Sequence, residues 1–418
     1  SYHNLGNLWG DGYKVLIGKA QEDNQTNEYY DLAFSPSKDP NYWARQRVAA
    51  YNFSQPYIPL SEATQSQEKV LGDHTGFEVM IAWGDIYPYH PWFIPAMGYN
   101  IYFAKGFDLP GQEHFPNGYA VVKDKGIWNE EMPKRNYAPI SFQTPEKLNH
   151  TYAFLRAKKR TYRQGEQIEL DVLGLASDSN SKKATLQVTD SSGVLVSQQE
   201  VDIDMSIEVE IKTISLSLFD LSPGIYAFSL QGTNSLESTI TILPNISFED
   251  IRQTLKANIN DLPKGTVNTL IFHLKELMDG ASRLKSYESG EMLLSKWHAF
   301  QKDYLQFLDG KNPYEEIKTP YRRAFQSKYD KTYQPYTTNL PDDYDPGKKY
   351  PLLVFLHGSG RDETGLLNQP RSNGDFIELA PFARDKFWAY AEDYSQKDIL
   401  EAIDDVIFHF SVDKEKII

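Results

Sequence analysis

The stretch Tyr350-Pro-Leu-Leu-Val-Phe-Leu-His-Gly-Ser-Gly360 decides how the chain is read. Leu352–Leu356 is an unbroken apolar run, too short for a buried helix and punctuated by Pro351 and Gly358. Such a run predicts a fully buried strand of the kind found in parallel sheets. It stops in His357-Gly358-Ser359-Gly360, where glycine lets backbone N–H groups face outward instead of pairing. Donors aimed from such a loop suit acyl transfer, in which charge develops on the substrate carbonyl oxygen. A tight strand-to-helix turn without chemistry has the same residues, so the flanks have to decide.

Upstream lies Gln334-Pro-Tyr-Thr-Thr-Asn-Leu-Pro-Asp-Asp-Tyr-Asp-Pro-Gly-Lys-Lys349; downstream, Phe376-Ile-Glu-Leu-Ala-Pro381 predicts the next parallel strand. Asp398–Phe410 predicts an amphipathic helix with Ile399, Leu400, Ile403, Val406 and Phe410 on its buried face. Asp342, Asp343 and Asp345 sit among Pro and Gly and read as turn chemistry, not as a cation site. Together these stretches, about residues 318–418, resemble the N-terminal half of an α/β-hydrolase of the esterase and prolyl-oligopeptidase type. In that resemblance Val412–Ile418 is similar to the run leading into the nucleophile strand. The family continues with a G-x-S-x-G elbow, and no such motif occurs in this chain. The resemblance therefore implies no catalytic residue within the chain, a nucleophilic serine beyond Ile418, and inactivity of the chain alone. It implies oxyanion-hole donors at Ser359 and Gly360, and a loop-forming role for His357 and Gly358. His357 is not promoted to general base, because the family's base follows its nucleophile.

The rest of the chain reads as three further units. Five of the seven tryptophans fall in residues 1–145, where short strands such as Tyr13–Ile17, Tyr29–Phe34, Phe77–Ile81 and Tyr99–Phe103 alternate with turn residues. That pattern predicts a β-sandwich. Leu8-Trp-Gly-Asp-Gly-Tyr-Lys-Val15, and Gly76–Ile86 followed by Gly98-Tyr-Asn-Ile101, resemble elements of the family-nine carbohydrate-binding modules. The resemblance implies an N-terminally incomplete module, with Trp83 in its core. Trp43, Trp92 and Trp128 lie in Pro- and Asn-rich stretches and are the sugar-stacking candidates. Each is also readable as a plug for the sandwich end, since exposed single apolar residues are ordinary.

Residues 148–245 alternate at period two, with a turn at Ser191-Ser-Gly193. Leu221-Ser-Pro-Gly-Ile-Tyr226 is similar to the penultimate strand of immunoglobulin-like bacterial modules, which implies a second sandwich serving as a spacer. Residues 246–316 switch to helical period and predict a connector. Ser247 and Asp250 open the first helix, on which Ile251, Leu255 and Ile259 share a face. Val267, Leu270, Ile271, Leu274 and Met278 stripe the second, up to Gly280; Leu293, Trp297, Phe300, Tyr304 and Leu308 stripe the third. His273 and His298 have no partner at metal-ligand spacing. The fold class expected is thus multidomain: a β-sandwich, an immunoglobulin-like sandwich, a helical connector, and the first part (317–418) of a doubly wound, mostly parallel α/β-hydrolase sheet.

Composition sets outer limits. A net charge of −14 argues against nucleic acid or an anionic membrane as partner. Zero cysteine removes thiolate chemistry and cysteine-bound zinc. No metal or cofactor is expected. The resemblances imply a secreted or periplasmic serine carboxylesterase acting on ester groups of plant-type polysaccharide, completed by the rest of the hydrolase domain. A prolyl-oligopeptidase-like peptidase and a non-catalytic carbohydrate-binding fragment remain open at this point.

Overall fold

The computed structural model describes residues 12–19, 29–34, 46–49, 58–94 except 73, 96–105, 117–120 and 138–141. It also describes 151–418, apart from 178–179, 207, 209, 219, 232–237, 258–263, 285–287, 315–319, 359–360, 369–374, 385–389 and 391–392. Its described residues are β-rich, with several separate sheets and few helices. It divides into two compact units, residues 1–242 with 285–289, and residues 243–284 with 290–418.

Among the described residues the first unit holds three sheets. Gly12–Lys19 lies between Tyr29–Phe34 and Ala96–Lys105, antiparallel to both. Further strands extend this sheet to seven, and Gln65–Leu71 with His74–Met80 forms a separate hairpin. Ile17, Tyr30, Leu32 and Phe34 alternate inward, together with Ile86 and Tyr89. Residues Tyr152–Leu243 make an eight-stranded sheet system around one core that includes Leu170, Leu186, Phe228 and Ile240. Its hairpin turns at Gly193, whose positive φ of 80° is a conformation that glycine adopts without strain.

The second unit begins with α1 (Phe248–Ala257), α2 (Lys264–Arg283) and α3 (Glu291–Leu308). Ser247 Oγ accepts the Asp250 backbone N–H at 3.3 Å, and Ile251 and Leu255 are buried; Ile259 lies outside the described residues. The second helix does not stop at Gly280. That glycine lets α3 approach, since a Cβ there would lie 2.5 Å from a Leu293 methyl. Met278 and Leu308, expected on buried stripes, are exposed.

Five strands follow: β1 (Tyr321–Gln326), β2 (Tyr333–Asn339), β3 (Tyr350–Val354), β4 (Ile377–Pro381) and β5 (Val412–Ile417). Their order in the sheet is β1-β2-β4-β3-β5. β2 is antiparallel to both neighbours, whereas β3 is parallel to β4 and to β5. The short helix α4 (Gly365–Asn368) lies between β3 and β4, and α5 (Asp393–His409) carries the chain from β4 to β5. Ile377–Pro381 is buried throughout, as its apolar run predicts, whereas the run Leu352–Leu356 is not the fully buried strand expected: the strand ends at Val354, only Leu352 has no exposed surface, and Leu356 is 53% exposed because pairing stops there.

The helices and this sheet share apolar surface. Val267, Leu270, Ile271, Trp297 and Phe300 form one cluster with Tyr314 and Tyr321 of β1. Two sequence expectations change here. The run 412–417 is itself a strand, bulged against β3 so that Tyr350 faces Val412 while Leu352 faces Ile417. The buried line of α5 is Ser395, Asp398, Ala402 and Val406, and Leu400 is 62% exposed. Asp398 points inward to the half-buried Arg384, and that bond goes with the turned face.

Candidate functional site

In doubly wound sheets, ligands bind outside the carboxyl ends of the strands, where the direction of winding reverses. Here the reversal is at β3. The chain leaves it to one side for β4, then crosses back through α5 to β5 on the other side. The carboxyl end of β3 is therefore the place to look for chemistry.

The strand pairing runs one residue past β3, with the Phe355 N–H donating to Leu379 O at 2.7 Å. Leu356 is then exposed, and His357 turns back across the sheet. Its Nε2 lies 2.9 Å from Phe382 O, just past β4, which makes that nitrogen the protonated donor. Nδ1 lies 3.1 Å from Gly358 O, and the carbonyl of His357 accepts the Tyr390 hydroxyl at 2.9 Å. The imidazole is also flanked by the rings of Phe382 and Tyr390. The Nε2–H bond to Phe382 O ties the side chain to the end of β4, while Nδ1, without a proton in that tautomer, only lies near Gly358 O. The Arg361 N–H closes the turn onto Gly358 O at 3.0 Å. Gly358 is open on its Cβ side and has no positive φ, so its lack of a side chain relieves no clash there. Ser359 and Gly360 lie outside the described residues.

The loop continues into Asp362, whose Oδ1 accepts Thr364 N–H and hydroxyl ahead of α4. Glu363 is buried, 2% exposed, and meets Arg322 of β1. On the far side, Ala383 and Arg384 both take positive φ, 50° and 69°. Paired left-handed residues are strained, and the Arg384 side chain holds this pair. Its Nε and Nη2 reach the two oxygens of Asp398 at 2.5 and 2.9 Å. Nη1 bonds Asp330, Nη2 also donates to Ser327 Oγ at 2.9 Å, and the guanidinium lies over the Tyr329 and Tyr394 rings. Burial pushes the Asp398 carboxyl up and Arg384 pulls it down, with a net upward result. The hydrogen bond from Arg384 holds Asp330 below the usual carboxylate range.

Among the described residues no group of three or more His, Asp or Glu side chains could hold a metal ion. Asp345 accepts the Gly347 N–H at 2.8 Å, an ordinary turn bond. His273 faces Glu276 on its own helix. Of the sugar-stacking candidates, Trp43 and Trp128 lie outside the described residues. Trp92 is half-buried and stacked on Phe154 at 5.7 Å, beside Leu173 and Leu175. Trp83 is not core: it is 36% exposed and lies over the His90 ring. His90 itself is enclosed by Trp83, Phe93 and Phe154, and burial, then Arg156, lowers its pKa to about 4.

Sequence reasoning missed Arg322, Glu363, Arg384 and Asp398. Only the Arg-Arg pair inside the otherwise strand-like Tyr321–Gln326 could have flagged one of them.

No protein-family model and no curated protein matches the chain. Among solved structures, a CE1 ferulic acid esterase from Anaeromyces mucronatus in complex with ferulic acid is 21% identical, over 25% of this chain and 48% of that one, at a TM-score of 0.17. The same enzyme in the absence of substrate gives 21% identity, 25% and 49% coverage, and 0.18. A thermostable esterase gives 12% identity, 63% and 68% coverage, and 0.19. The chain spans about half the length of the ferulic acid esterase. At these TM-scores the likenesses carry no argument about fold or function.

Proposed function

We propose that residues 318–418 form the first part of an α/β-hydrolase domain, and that the whole protein is a secreted or periplasmic serine carboxylesterase. Its substrates in this reading are ester groups on plant-type polysaccharide, and the tryptophan-rich segment is an accessory sugar-binding module. One observation carries the hydrolase reading. The His357-Gly358 turn stands at the carboxyl end of the strand where the winding reverses, held by Phe382 and Tyr390. A turn fixed there is suited to present backbone N–H groups, those of Ser359 and Gly360, to a developing oxyanion. β5 supports the same reading. The Ile418 N–H donates to Leu352 O at 2.9 Å and its carbonyl accepts the Val354 N–H at 2.8 Å, so β5 runs alongside β3 towards that turn. A nucleophilic serine following Ile418 would meet the turn from the neighbouring strand, with its acid and base later still.

The 418-residue chain should neither hydrolyse p-nitrophenyl acetate above background nor react with a fluorophosphonate probe. A chain extended through the remainder of the domain should do both. Labelling of a serine within residues 1–418 would sink the proposal. An extended chain that cleaves peptides but not acyl esters would make it a peptidase. For the accessory module, xylo- and cello-oligosaccharides should quench tryptophan fluorescence; silence across the panel removes the sugar role.

A further inference from the structure

Two arginines of the second unit use the same edge of the guanidinium in the same way. Arg322 sets Nε and Nη2 on Glu363, and Arg384 sets Nε and Nη2 on Asp398. Arg323, on β1, does not. It is 3% exposed, yet among the described residues neither its Nε nor its Nη2 has a hydrogen-bond partner. Its Nη1 donates to the Tyr321 hydroxyl at 3.3 Å, and its guanidinium carbon lies 5.6 Å from the Phe410 ring centroid and 6.0 Å from that of Tyr321. The Asp405 carboxylate of α5 is engaged elsewhere: Oδ2 accepts the Tyr336 hydroxyl at 2.6 Å, and Oδ1 lies 3.7 Å from His409 Nε2. It offsets part of the guanidinium charge through space without meeting those two nitrogens.

The unpaired edge stands against the start of α2. A Cβ on Gly265, the second residue of that 20-residue helix, would lie 2.6 Å from Arg323 Nη2 and collide with His409 Nε2. Glycine therefore lets both side chains reach the first turn, where N–H groups lack intrahelical partners and the helix dipole is positive. Thr269 fixes β1 there, since its hydroxyl donates to Gly265 O at 2.7 Å and accepts the Ala324 N–H at 3.0 Å. His409 Nε2 is a buried atom without a hydrogen-bond partner among the described residues, and in its Nε2–H tautomer it adds another donor. A buried guanidinium with two bonds unmade is costly. A water molecule would bring two hydrogens of its own into a place rich in donors. An anion only accepts, and a fork edge beside a helix N-terminus is matched to one.

We propose that Arg323, His409 and the first turn of α2 form a buried site for one small anion, of the size of chloride or formate. The site neither rests on the hydrolase reading nor bears on it. The test is thermal unfolding of the 418-residue chain at pH 7, followed at 222 nm because the described α-helices all lie in the second unit. Sodium gluconate, whose anion is too bulky for a buried site, is replaced stepwise by chloride or by formate at fixed ionic strength. Above the dissociation constant each tenfold rise in a bound anion adds about 1.4 kcal/mol, or roughly 3–6 °C for a unit of this size. Wild type should gain at least 3 °C in full exchange, with the better of the two salts telling halide from carboxylate. R323K keeps the charge but loses the fork, and should lose the gain. R322K, whose fork serves Glu363, should melt lower yet keep it. If R323K does not fold, G265A displaces the same two side chains and should at least halve the gain. Equal melting of wild type in all three salts overturns the site, and so does a wild-type gain in R323K or, in its place, in G265A.

Discussion

Replacing Arg384 by alanine should be among the most damaging single changes in the second unit, and the structure sets the scale. The side chain serves two carboxylates of different kinds. Asp330 is a third exposed, so its arm is worth at most about 1 kcal/mol. Asp398 is 2% exposed, and removing one partner of such a pair costs about 3–5 kcal/mol, because the other charge is left buried and alone. Alanine at φ 69° gains nothing in backbone strain. The expected loss is therefore about 3–5 kcal/mol at pH 7. It should also depend on pH in a definite sense. Asp398 is already raised by burial, and without Arg384 it rises further. The folded state then keeps a proton that the unfolded state releases near pH 4, so stability falls as pH increases. R384A should be less impaired at pH 4.5 than at pH 7, and D398N in the same chain should restore most of the loss. Urea unfolding followed at 222 nm reads this unit, because the described α-helices all lie in it. A cost below about 1 kcal/mol at pH 7, or one indifferent to pH, would refute the reasoning.

Two further outcomes follow from close packing and from burial. G265A should destabilise the same unit by about 1–3 kcal/mol despite alanine's better helix propensity. The new Cβ would collide with His409 Nε2 and lie 2.6 Å from Arg323 Nη2, both on inward-facing side chains; a more stable G265A in urea would show that they can yield. In the first unit, His90 is depressed to about 4, so the unfolded state takes up the proton first as pH falls from 6.5. Thermal stability of that unit should drop over this interval, and H90F should flatten the slope; an unchanged slope would assign it to other groups.

Part of the sheet was legible because burial leaves a continuous apolar signature, cleanly so in Ile377–Pro381; in Leu352–Leu356 the signature overstated the burial, since only Leu352 is fully buried and Leu356 is 53% exposed. The helical stripes were legible for a similar reason, with errors at their ends, where Met278 and Leu308 emerge into solvent. The polar framework was not. Arg322 finds Glu276 and Glu363 at separations of 46 and 41 residues, and Arg384 finds Asp330 at 54. Such pairs leave no local period, so in sequence each charge reads as a solvated one. The same blindness misplaced the face of α5, since Asp398 looked polar and outward until its arginine was known. Trp83 failed differently: on a short 3-10 turn, no periodicity indicates which way a ring points.

The shared cluster of α2, α3 and β1 has a consequence for how the protein is made. A ribosome delivers Val267, Leu270 and Ile271 first, and their cover from Tyr321 comes roughly 50 residues later, about 3–10 s at ordinary elongation rates. During that interval an apolar helical face stands open outside the exit tunnel. Nascent chains stalled between α3 and β1 should therefore be the ones that recruit chaperones, and those released past β2 should not.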